Sequence, residues 1–113
     1  MKSIVYLITS NGMGTSEEQP LKHKLISTFL NLAAEHQPLP ATICFYTDGV
    51  KLACEGSPVL EQLAKLETLG VRLILCQTCL HYYDLEDKVK VGIVGGMGDI
   101  ITSMTQADSV ITL

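Results

Sequence analysis

Five short apolar runs, at residues 4–8, 41–46, 71–75, 89–94 and 109–113, alternate along the chain with segments of a different period. Each run is short, and Ile4–Ile8 and Leu73-Ile74-Leu75 are apolar on successive residues, which suits strands covered on both faces. After the first run, Pro20 suits an opening helical turn, and Leu25, Ile26, Phe29, Leu30 and Ala33 form one stripe at helical spacing. That helix is expected to end before Pro38 and Pro40. Ser57-Pro58 marks a second helix start, with Val59, Leu60, Leu63 and Leu66 on its buried face and Gly70 as its stop. Thr78 is expected to cap a short turn through Leu80, Tyr82 and Tyr83. Gly95-Gly96 breaks the fourth run, and Met97, Ile100, Ile101, Met104 and Ala107 then repeat at helical spacing. Strands alternating with helices give a parallel sheet joined by right-handed crossovers. The expected fold is α/β: three layers, α/β/α, around a five-stranded, mostly parallel sheet, in one domain over residues 1–113.

Composition narrows the function. Apolar residues at 47% and charged residues at 18% exclude a disordered chain. A net charge of −4, a pI near 5.2 and no basic stripe argue against nucleic acid as a partner. No apolar run approaches the ~20 residues of a membrane span. The first run is too short for a signal-peptide core. The expected compartment is the cytoplasm, with Cys44, Cys54, Cys76 and Cys79 reduced at rest.

In a parallel sheet the loops after the strands emerge on one edge, where ligands bind. Residues 11–15, 48–56, 76–83 and 95–99 are therefore expected around one cleft. The third of these carries Cys76-Gln77-Thr78-Cys79, where an apolar strand gives way to a helical turn. Three-residue spacing lets two sulfurs meet, so that an adduct on one can be resolved by the other. Cys76, at the strand end, is the expected nucleophile, and Cys79 the resolver. Thr78 and the turn's backbone N–H groups would stabilise the thiolate. Asn11, Thr78, His81 and Met97 are the expected substrate-binding residues. The alternative is a pair of buried cysteines acting as small hydrophobes.

Other chemistries fit less well. A thioredoxin motif follows an early strand and opens a long helix, unlike this one. Zinc needs four ligands, and Cys76, Cys79 and His81 supply three at best. Haem attachment needs His where Leu80 stands. The glycine loops Asn11-Gly12-Met13-Gly14-Thr15 and Gly95-Gly96-Met97-Gly98 lack the spacing of a dinucleotide or P-loop fingerprint. No metal and no cofactor are expected. Cys54 is a candidate further acceptor thiol, Cys44 a core residue, and His23 and His36 solvated side chains.

Ser10-Asn11-Gly12-Met13-Gly14, Asp48-Gly49-Val50-Lys51-Leu52, Glu55-Gly56-Ser57-Pro58-Val59-Leu60 and Leu75-Cys76-Gln77-Thr78-Cys79-Leu80-His81-Tyr82-Tyr83 follow in an order and spacing that resembles the DsrE-like proteins. Val91-Gly92 after the paired tyrosines extends the likeness, which is nearest to the YedF-type, sulfurtransferase-like selenium metabolism branch. The resemblance implies a parallel α/β/α sheet and assembly into homo-oligomers. It also implies sulfur passed as a persulfide on a cysteine after the third strand, the position of Cys76. Gln77 stands where the common pattern has glycine. YedF-type proteins often carry an N-terminal TusA-like domain. This chain begins directly at the DsrE-like part, which implies that a TusA-like or other relay partner is a separate protein or absent. The expected function is a sulfur or selenium carrier holding a persulfide-type adduct on the Cys-x-x-Cys. The alternatives are a non-catalytic binding or scaffold subunit and a dithiol redox switch.

Overall fold

In the computed structural model, which describes residues 2–113, five strands form one sheet in the order β4-β3-β2-β1-β5. β1 is Ile4–Ile8, β2 Thr42–Phe45, β3 Arg72–Cys76, β4 Ile93–Gly95 and β5 Ser109–Thr112. Every neighbouring pair is parallel, and Leu7, Cys44 and Ile74 stand side by side across the centre. All of β2 is buried, because a strand between two parallel neighbours is covered on both faces.

The helices are α1 (Gln19–Ala33), α2 (Leu60–Thr68), α3 (Gln77–Tyr82) and α4 (Met97–Gln106). From β1 to β4 each connection steps to the next strand in one direction, so right-handed crossovers place α1 and α2 on the same face. The last connection returns across the sheet, which puts α4 on the other face. Side-chain contacts agree. Phe29 of α1 packs edge-on against Tyr6, while Ser103 of α4 lies beside Cys44, which faces the opposite way. The three-layer parallel architecture is the one the sequence pattern predicts.

Several local expectations need correction. Within the α1 stripe, Ile26, Leu30 and Ala33 are buried, but Leu25 lies at its margin and is exposed. Ser57 does accept a backbone hydrogen bond, from Val59 N–H at 3.1 Å, yet regular helix begins only at Leu60. Gly70 ends α2 as expected: its φ of +99° lets Val71 N–H return to the Leu66 carbonyl. β3 runs one residue further than expected and includes Cys76, which pairs in register with Gly95. The fourth run forms a strand only at Ile93–Gly95; Val89 instead makes an antiparallel bridge to Cys54.

Residues after β2 are not an open loop. Thr47–Ala53 coil into a 3₁₀ segment seated on the end of β1. Gly49 is what permits this, since a Cβ there would stand 2.0 Å from the Ile8 carbonyl oxygen. Tyr46 N–H, just before, donates to the same carbonyl at 3.1 Å.

On its own face of the sheet α4 is anchored by Ile100, its buried residue. Ile100→Ala should cost about 2–4 kcal/mol of stability through the cavity it leaves. The exposed neighbour Gln106→Ala should stay within about 0.5 kcal/mol of the parent. Urea unfolding of the two variants checks the contrast.

Candidate functional site

Three of the four expected loops meet at the carboxyl edge of the sheet, around two adjoining clefts. The larger, of about 420 Å³, is lined by Asn11, His23, Lys51, Glu55, Ser57 and Tyr83 among others. The smaller, of about 280 Å³, is lined by Thr47, Thr78, Cys79, Tyr82 and Tyr83. Tyr83 belongs to both and forms the wall between them. Residues 95–99 line neither cleft, because β4 lies at the sheet's margin and α4 departs toward the opposite face.

The two sulfurs of the Cys-x-x-Cys are in different surroundings. Cys76 closes β3 and is 1% exposed, so the expected open nucleophile at this position is a sealed side chain. Cys79, one turn into α3, is half-buried and faces the smaller cleft. The two sulfurs are neighbours, and Cys79 feels Cys76. Burial pushes the Cys79 thiol above the ordinary thiol range, and the hydrogen bond and charge of Cys76 push it further. One contact acts in the other sense. Thr47 N–H donates to Cys79 Sγ at 3.0 Å, which favours the thiolate.

Thr47 holds a backbone conformation that costs energy for a β-branched residue, with φ +50°. Its hydroxyl shares a proton between the carbonyl oxygens of Thr9 and Tyr46, tying the residue back to the end of β1. No sequence motif marks Thr47, which stands just before the loop expected over residues 48–56. Next to it, Asp48 holds Lys51 in an ion pair at 2.9 Å. The Lys51 ammonium, and then the Tyr83 hydroxyl, keep the Asp48 carboxyl below the usual carboxylate range. The same carboxylate holds the Tyr83 phenol above its ordinary value. Lys51 Nζ also lies 4.4 Å from the centre of the Tyr83 ring. These contacts fix the wall between the clefts.

The remaining expected residues divide. Asn11 lines the larger cleft, where its Oδ1 lies 3.3 Å from His23 Nε2, so His23 is part of the site rather than a solvated side chain. Thr78 lines the smaller cleft but caps nothing: α3 starts at Gln77 with no side-chain cap, so Thr78 is inside the helix. His81 is exposed and directed to Glu86, Nδ1 to Oε1 at 2.9 Å, outside both clefts. Met97 opens α4 and lines neither. Cys54 is 1% exposed in the wall of the larger cleft, and its S–H donates to the Val50 carbonyl at 3.2 Å, which removes it as an open acceptor thiol. Cys44 is buried in the core. Among the described residues, no group of three or more His, Cys, Asp or Glu is placed to hold a metal ion. Among the same residues, no helix is long and apolar enough to cross a membrane.

The raised Cys79 thiol predicts a pH dependence. Alkylation requires thiolate, so the Cys79 rate should climb with pH and reach half its plateau above the ~8.5 of a free thiol. In Cys76→Ser the neighbouring hydrogen bond and charge are gone, and the half-point should move down. Site-resolved peptide mass analysis of iodoacetamide labelling measures both.

The family described as DsrE/DsrF-like matches this chain over residues 2–113. Among curated proteins none matches the sequence. Solved structures with the same fold include the ychN protein of E. coli, 18% identical, with a TM-score of 0.74 and both chains covered in full. A protein of unknown function from Methanobacterium thermoautotrophicum, MTH1491, is 23% identical with a TM-score of 0.70, again over all of both chains. BT1422 of Bacteroides thetaiotaomicron, a conserved protein of unknown function, is 12% identical with a TM-score of 0.67 over 98% of this chain and 95% of its own.

Proposed function

The chain belongs to the DsrE/DsrF-like family, and on that premise we propose that it is a sulfur carrier which holds a persulfide on Cys79, with Cys76 beneath it as resolving thiol. Membership in the family points to sulfur relay in general terms. The observation that supports this assignment of roles is the contrast in access: Cys79 opens to a cleft, whereas Cys76 is buried beside it.

The chemistry balances with these two residues. Cys79 attacks as the thiolate that the Thr47 N–H favours. Its Sγ bonds to the outer sulfur of a donor persulfide, R–S–SH, the S–S bond of the donor breaks, and R–S⁻ leaves. The product is Cys79–S–SH. An acceptor thiolate then attacks the outer sulfur, takes it as acceptor–S–SH, and releases the Cys79 thiolate. If no acceptor arrives, a Cys76 thiolate can attack Cys79 Sγ, expel HS⁻ and close a disulfide. Selenium could follow the same course. A TusA-like or other relay protein in the cytoplasm would serve as donor or acceptor, its thiol entering past Thr78 and Tyr82.

Incubation with a persulfide donor followed by intact-mass measurement tests the reading. The expected result is an increase of one sulfur atom on the parent, kept in Cys76→Ser and lost in Cys79→Ser. An increase kept in Cys79→Ser and lost in Cys76→Ser would return the persulfide to Cys76. A disulfide with no added sulfur at any stage would favour the dithiol switch, for which the proximity of the two sulfurs is equally suited.

Self-association is part of the same proposal. Ile93 and Val94 on one margin of the sheet and Val110 and Ile111 on the other are exposed, as are Met97 and Ile101 of α4. Uncovered apolar side chains on both marginal strands favour pairing of copies. Light scattering should give a homo-oligomer at micromolar concentration; a monomer there would overturn this part.

A further inference from the structure

We propose that Thr47 is a positioning residue: its backbone N–H, aimed by the left-handed conformation that its hydroxyl and Gly49 enforce, serves as the anion donor for Cys79 sulfur in both half-reactions. The inference rests on the carrier reading and deepens it. It stands on three linked contacts. Gly49 seats the 3₁₀ segment against the Ile8 carbonyl, where no other residue fits. The Thr47 hydroxyl ties to Thr9 and Tyr46 carbonyls and holds φ at +50°. The Thr47 N–H then meets Cys79 Sγ at 3.0 Å, across a separation of 32 residues in the sequence.

The strained φ is informative here. An ordinary turn would place Gly or Asn at such a position. A threonine costs energy unless its side chain is used, and here the hydroxyl is bonded. The bonded hydroxyl fixes the direction of the N–H, and that N–H goes to sulfur rather than to a carbonyl. Such a donor does the same service twice. When Cys79 attacks R–S–SH, the N–H favours the sulfur that carries charge as nucleophile. When an acceptor thiolate removes the outer sulfur, the N–H favours the same Sγ as the leaving thiolate. It thus acts on loading and unloading alike, without being consumed. Its direction is also consistent with its effect on the Cys79 thiol, which it lowers against burial and Cys76.

The test uses the full chain and reads Cys79 alkylation against pH, alongside sulfur loading by intact mass. Thr47→Val keeps the shape but removes the hydroxyl tie. It should raise the Cys79 half-point by about one pH unit, a roughly tenfold loss of thiolate at fixed pH, and slow loading in proportion. Thr47→Ser, which keeps the hydroxyl, should restore the parent profile. Incorporation of the α-hydroxy acid analogue of threonine at position 47 replaces the N–H by an ester oxygen and keeps the side chain. It should give the same upward shift, even if Thr47→Val fails to fold. An unchanged half-point in the folded ester variant would overturn the proposal. Absence of added sulfur on the parent would sink the carrier reading instead, while the alkylation profiles would still decide the part played by Thr47.

Discussion

Parallel pairing of β1, β2 and β3 is the constraint from which the rest of the molecule follows. A central strand such as Thr42–Phe45 loses water on both faces, so helices must cover both. Parallel neighbours cannot be joined by hairpins, so each connection crosses back over the sheet and every strand ends on the same edge. The clefts lie at that edge because the topology allows the chain no other place to leave its loops together. The reversal between β1 and β5, where the last connection returns across the sheet, sends α4 to the opposite face and leaves the loop before it outside the clefts.

A second, smaller constraint acts inside that frame. Gly49 sits against the Ile8 carbonyl, which draws the segment after β2 down onto the end of β1. That closeness turns an apparent loop into a 3₁₀ segment and presents Thr47 N–H to α3. The Asp48–Lys51–Tyr83 cluster grows from the same segment and fixes the wall between the two clefts. A single missing Cβ on one element therefore governs the surroundings of a thiol on another.

Burial separates what the two thiols can reach. A sulfur sealed in a strand end is poorly placed to meet a second molecule, but well placed to meet an adjacent sulfur. A sulfur one turn later, at a cleft, has the reverse properties. Burial and its neighbour both weigh against the Cys79 thiolate, and the one contact in its favour comes from a backbone group. Backbone donors are well suited to this, since they are fixed by the fold and need no reorganisation during reaction.

Read alone, the chain determined its alternation of strands and helices, and with it the parallel sheet and the shared edge. Apolar period reports which residues face a core, and that information is local. It also determined that Cys76 and Cys79 would meet, because three-residue spacing across a turn is a local fact too. Tertiary structure decided which sulfur is open. Cys76 is sealed because β3 continues through it to pair with Gly95, and Gly95 arrives from a later segment of the chain. Tertiary structure also decided that Thr47 reaches Cys79 and that His81 and Met97 stand outside the clefts. These outcomes depend on where strand pairing stops and how closely two backbones approach, and no periodicity along a single sequence carries either quantity.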